Sequence, residues 1–113
     1  MAQNIGDFNK ALSAYSWMDF ELFLENGELI LSGGIDEAEP ENLRISFSEP
    51  YMVACPICFT YDEGALIEEV FGKQFAELTE KYKIPDGYRF FRFYINNDLD
   101  SFFIIAKGFK FTA

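Results

Sequence analysis

The stretch DFELFLENGELILS, residues 19–32, decides the fold class. Apolar and polar side chains alternate on both sides of Asn26-Gly27. Asn-Gly is the preferred centre of a two-residue type I′ turn, whose twist matches that of paired strands. A two-residue loop sets the register: Glu25 faces Glu28, Leu24 faces Leu29, Phe23 faces Ile30 and Leu22 faces Leu31. One face of this hairpin then carries Phe20, Leu22, Leu24, Leu29 and Leu31, which are expected in the core. The other carries Glu21, Glu25, Glu28 and Ser32 around Phe23 and Ile30. Glu25 directly across from Glu28 is repulsive unless water or a basic group intervenes.

Outward from the hairpin, Gly33-Gly34 is expected to break the strand, and Asp36-Glu37-Ala38-Glu39-Pro40-Glu41-Asn42 forms an acidic loop. Leu43 to Ser48 alternates again, with Leu43, Ile45 and Phe47 inward. Glu49-Pro50 turns the chain. Tyr51 to Phe59 is more continuously apolar and is expected as a strand at least to Ala54, pairing back as a second hairpin. Pro56 has no N–H for a ladder, so it marks an edge or the end of that strand.

Two helices are predicted. Asp7 to Ser16 places Phe8, Ala11, Leu12 and Tyr15 at helical spacing, with Asn4 or Asp7 able to cap it. A longer helix is expected after Thr60-Tyr61-Asp62-Glu63, which fits a capping box. Its apolar stripe would be Leu66, Ile67, Val70, Phe71, Phe75, Leu78 and Tyr82, and Pro85 with Gly87 ends it. Two strands, Tyr88 to Ile95 and Leu99 to Phe111, then flank the turn Asn96-Asn97-Asp98. Half of the chain's 14 phenylalanines lie between Phe90 and Phe111. Gly108 permits a bulge there. The expected fold is a single α+β domain over residues 1–113: an antiparallel sheet of about six strands, with a short N-terminal helix and a longer one packed mostly on one face.

The length of 113 residues suffices for a core without metal or disulfide staples. No run approaches the roughly 20 apolar residues of a membrane-spanning helix. The N-terminus lacks the basic and apolar regions of a signal peptide, so a cytoplasmic location is expected, with reduced cysteines. Charge is unevenly distributed. Residues 1–69 hold 14 acidic and 2 basic side chains, and residues 70–113 hold 5 acidic and 7 basic, for a net charge of −10. Such a balance disfavours a nucleic-acid partner and an anionic membrane surface, both of which need clustered Lys and Arg.

Catalytic chemistry finds little support. The chain has no histidine. Ser13, Ser32, Ser46, Ser48 and Ser101 therefore lack the common activating base. Gly33-Gly34 has no phosphate-loop context. The acidic loop lacks the order of a calcium hand, and two cysteines supply half of a structural zinc site. No cofactor and no metal are expected.

Cys55-Pro56-Ile57-Cys58 is the one motif with chemistry in it. Two thiols three positions apart at a helix start can close a small disulfide. These four residues resemble the Cys-Pro-x-Cys of glutaredoxin-like proteins, and the resemblance implies a thiol redox pair in Cys55 and Cys58. That family places its cysteines after one strand and at the helix start itself, whereas here two hairpins come first.

The leading expectation is a small acidic, non-enzymatic domain that binds a basic protein. A concrete form is a bacterial immunity protein or inhibitor covering a basic toxin. Asp36, Glu37, Glu39 and Glu41 are the expected contact residues, supported by Glu25 and Glu28. The alternatives are the redox protein and a small-ligand binder with an aromatic pocket near Phe71, Phe75 and Phe91. A homodimer through the Phe-rich sheet is a further expected partner mode.

Overall fold

The structure is a computed structural model that describes residues 4–36, 38, 41–95 and 98–112, with the backbone alone at 98–100. It is an α+β fold of two helices and nine strands, arranged as two antiparallel sheets. The chain order is α1 (Ile5–Leu12), β1 (Met18–Glu25), β2 (Glu28–Gly34), β3 (Leu43–Ser48), β4 (Met52–Ala54), β5 (Cys58–Tyr61), β6 (Ile67–Val70), α2 (Gly72–Tyr82), β7 (Arg89–Ile95), β8 (Asp98–Ala106) and β9 (Gly108–Thr112). The five-stranded sheet has the order β5-β1-β2-β3-β9, and the four-stranded sheet β4-β8-β7-β6.

The 19–32 hairpin forms in the expected register, from Glu25↔Glu28 to Asp19↔Gly34. Asn26 and Gly27 both have positive φ, 52° and 79°, as a type I′ turn requires. The inward faces of the two sheets meet in one core. Phe20, Leu22, Leu29, Leu31, Ile45 and Phe47 come from the first sheet, and Ile67, Phe91, Phe93 and Ile104 from the second. Phe47 packs on Phe91 and Phe93, with centroids 5.2 and 6.1 Å apart. Leu24 departs from expectation. It is 69% exposed, because its place beside the hairpin tip lies beyond the packed interior.

A second apolar layer lies on the far side of the four-stranded sheet. Val70, Phe90, Phe103 and Ile105 pack there with Phe75, Leu78 and Tyr82 of α2. Helix α1 inserts Phe8 and Leu12 into the core between the sheets. The two helices therefore cover different places and do not share one face.

One sheet of six strands becomes two sheets for identifiable reasons. β3 does not pair with the strand that follows it. It pairs with β2 and β9, while β4 pairs with β8. The turn at Glu49 (φ 46°) carries the chain from one sheet to the other. The expected strand from Leu99 to Phe111 is split at Lys107. Its first part, β8, lies in the four-stranded sheet and its second, β9, in the five-stranded one. What reads as a bulge at Gly108 is a strand changing sheets, a common way to make a corner.

The long helix also starts later than predicted. Thr60 belongs to β5, and Leu66 precedes β6, which holds Ile67 and Val70. Ile67 and Val70 are both buried, on opposite sides of the sheet, a placement that four residues of helical spacing imitate. The expected capping box at Thr60 is absent. Phe71 is the N-cap, without a side-chain hydrogen bond, and Gly72 follows at φ 66°. At the first helix, Asn4 and Asp7 form a reciprocal capping box and the helix ends at Leu12.

Candidate functional site

Strand alternation turns Asp19, Glu21, Phe23 and Glu25 of β1 to the outer face of the five-stranded sheet. Pairing extends these positions into rows. Cys58, Glu21, Ser32, Arg44 and Thr112 form one row, Thr60, Asp19 and Gly34 another, and Phe23, Ile30, Ser46 and Lys110 a third. Both helices pack elsewhere, so this face is left to side chains. Ile30 and Ser46 at its middle are nonetheless buried.

The hairpin acids meet a cation here. Arg44 Nη1 lies 3.1 Å from Glu25 Oε2, and Arg44 Nε lies 2.9 Å from Glu41 Oε2. Ser32 Oγ donates to the same Glu41 oxygen at 2.6 Å. The guanidinium also sits 5.9 Å from the Phe23 ring centroid. Burial raises the Glu41 pKa, but the hydrogen bonds from Ser32 and Arg44 and the charge of Arg44 outweigh it, and the carboxyl is held below its usual range. Arg44 is raised in turn, chiefly by its hydrogen bond to Glu41.

Beside this cluster lies a cleft of about 700 Å³ over β5, β1 and β2. Trp17 and Ile35 give it exposed apolar walls, and Phe20 and Phe59 line it from strands where their rings stack together on the core side. Asp19, Glu21 and Asp36 give it carboxylates, and Ser32, Gly34, Cys58 and Thr60 complete it. Gly34 stands opposite Asp19 and has no side chain, which keeps the floor low. Trp17 and Ile35 are 44% and 37% exposed. Asp19 accepts from Thr60 Oγ1 at 2.6 Å, and Asp36 accepts from the Ala38 amide at 2.8 Å. Among the described residues, no Lys or Arg comes within ion-pair distance of Asp19, Glu21 or Asp36.

The six expected contact residues thus fall into four groups. Glu25 and Glu41 are joined through Arg44. Asp36 lies in the cleft. Glu28 lies across from Glu25 at the hairpin tip. Glu37 and Glu39 lie outside the described residues. Asp19 was not singled out by sequence, although outward alternation along β1 carries the signal for it.

The cysteines have a different setting. Cys58 opens strand β5 and is exposed, and Cys55 is half-buried; both are free thiols. No helix starts at the motif. Burial pushes the Cys55 thiol up to about 12, opposite to the lowered value that a reactive thiol needs. The aromatic-pocket residues do not come together either. Phe91 is inside the core, Phe75 lies against the outer layer, and Phe71 is 71% exposed. Phe71 instead edges a second cleft of about 610 Å³ with Ile5, Asn9, Ile67 and Tyr94. The acids of that cleft are engaged. Arg89 holds Glu69 through two hydrogen bonds of 2.6 and 2.7 Å, and Tyr94 and Arg92 reach Glu68.

Comparison with known proteins gives no match: no family model, no curated protein and no solved structure aligns with the chain. Among the described residues, no group of three potential metal ligands converges, and no helix is long and apolar enough to cross a membrane.

Proposed function

We propose that this chain is a small non-enzymatic protein-binding domain that docks a basic protein on the outer face of its five-stranded sheet. One observation carries the reading. Among the described residues, that face has no helix over it and bears Asp19, Glu21, Glu25, Glu28, Asp36 and Glu41, and Arg44 engages only Glu25 and Glu41 of these acids. A face with an excess of negative charge draws an oppositely charged partner, speeds encounter and makes binding sensitive to salt. An inhibitor or immunity protein that covers a basic toxin is the specific form of this reading. The half-buried, helix-free setting of Cys55 supports binding over the thiol redox alternative.

Capture of partners from the native cell tests the reading. The bound proteins should be basic and should elute as salt rises. A variant with Glu21→Gln, Glu28→Gln and Asp36→Asn should retain much less of them. Neutral or acidic partners that persist through high salt would overturn it.

A further inference from the structure

The outer sheet face already shows how it holds an arginine. Arg44 lies between the carboxylates of Glu25 and Glu41, near the Phe23 ring. The neighbouring cleft has the same kinds of groups: Asp19, Glu21 and Asp36 as carboxylates and Trp17 as an exposed aromatic wall. Ser32 connects the two, because it lines the cleft and donates to Glu41. No described cation of the chain itself reaches the three cleft acids.

We infer that this cleft seats an arginine side chain presented by the basic protein partner. The inference rests on the proposed function and places its central contact.

The geometry favours an extended cation over a point charge. Asp19 and Glu21 are two residues apart on one strand face, a spacing of about 7 Å. With Asp36 they do not form a group able to hold one metal ion. A guanidinium is planar, offers five donors in fixed directions and stacks on aromatic faces. It can bridge separated carboxylates while its stem lies on Trp17, where a lysine ammonium addresses one acid at a time. Charge-assisted hydrogen bonds of this kind are roughly twice as strong as neutral ones, so they would dominate the contact.

Trp17 is the chain's one tryptophan, so its fluorescence reports on the cleft. The full chain is titrated with the blocked peptide acetyl-Gly-Arg-Gly-amide, and separately with peptides carrying lysine or citrulline instead. Citrulline keeps the shape of arginine and removes its charge. The arginine peptide should give a saturable change in Trp17 emission and bind roughly tenfold tighter than the citrulline peptide. Lysine should fall between them. Asp19→Asn with Glu21→Gln should weaken arginine binding roughly tenfold, while Glu77→Gln, the same kind of change on α2 away from this face, should alter it less than about twofold. Circular dichroism checks that each variant is folded, and Asp36→Asn, outside the strands, serves if the double variant is not. Equal binding of citrulline, an equal loss in Glu77→Gln, or no saturable change would overturn the inference. If the cleft fails while basic partners are still captured in a salt-sensitive way, only the arginine seat falls. If the peptide binds while the captured partners are neutral, the wider docking reading falls and the seat stands.

Discussion

Asn9 carries a connection between distant parts of the chain. Its Oδ1 accepts from the amides of Leu66 and Ile67 at 3.0 and 3.2 Å, and its Nδ2 donates to the Ile67 carbonyl at 2.7 Å. One amide side chain thus supplies the ladder groups that edge strand β6 would otherwise leave to water, and ties α1 to it. Asn9→Ala should destabilise the fold by roughly 1–3 kcal/mol, because partly buried backbone groups lose their partners. Asn9→Asp keeps the acceptor and should cost less. Urea unfolding measures both, and near-identical stability of Asn9→Ala would mean that water replaces the side chain. Nothing in the sequence marks Asn9, since its partners lie 57 and 58 positions away. Cys55 gives a second residue-scale expectation. Its thiol ionises near 9.0 when free and is pushed up to about 12 by burial. Both states are protonated below pH 9, so the group leaves stability unchanged there. Between about 9 and 12 the unfolded thiol loses its proton and the folded one keeps it, so stability falls as pH rises. The decline in melting temperature above pH 9 should therefore be shallower in Cys55→Ala. Below that range Cys58 should alkylate first and Cys55 should lag, and equal rates would contradict its burial.

At the scale of elements, local turn chemistry was the most legible part. Asn26-Gly27 fixes the turn, and the alternation around it fixes the faces of β1 and β2 without any distant information. Gly33-Gly34 shows where local reading stops. Gly33 does not end the strand; β2 runs through Gly34. A Cβ at Gly33 would stand 2.4 Å from Met18 Sδ and 2.5 Å from Phe20 Cε1, so the glycine lets β1 side chains cross over β2. Gly33→Ala should cost about 1–3 kcal/mol by overpacking, read as a lower urea midpoint at unchanged slope. An unchanged midpoint would show that Met18 moves aside freely. β6 imitates a helix for a related reason. Its four residues fit two periodicities, and only pairing with β7 selects the strand.

The whole molecule is a sandwich whose corner strand, β9, leaves one sheet for the other. Hydrophobic alternation reports which way a side chain points, but not which of two sheets it enters, so the split at Lys107 was not readable from the pattern. The Phe-rich end illustrates this. Phe91 and Phe93 fill the space between sheets, and Phe90 and Phe103 meet α2, so the residues that suggested an open sheet face are covered on both sides. The charge asymmetry, by contrast, was legible and finds a place. The described hairpin and cleft acids share one outer face, and the place of Arg44, which the pattern does not give, separates the engaged acids from the others. A net charge of −10 and unpaired acids on one face predict opposite salt effects on folding and on binding. Salt screens repulsion among Asp19, Glu21 and Glu28 within the folded chain, with a Debye length of about 10 Å at 0.1 M falling to about 3 Å at 1 M. The melting temperature should therefore rise with sodium chloride. Association with a basic partner should weaken over the same range, because the same screening removes its attraction. The two trends measured side by side separate general salting effects from this face. A melting temperature that falls with salt would mean that ion pairs such as Arg44 with Glu25 and Glu41 outweigh the repulsion, and the face would then be balanced for its own stability rather than held ready for a cation from outside.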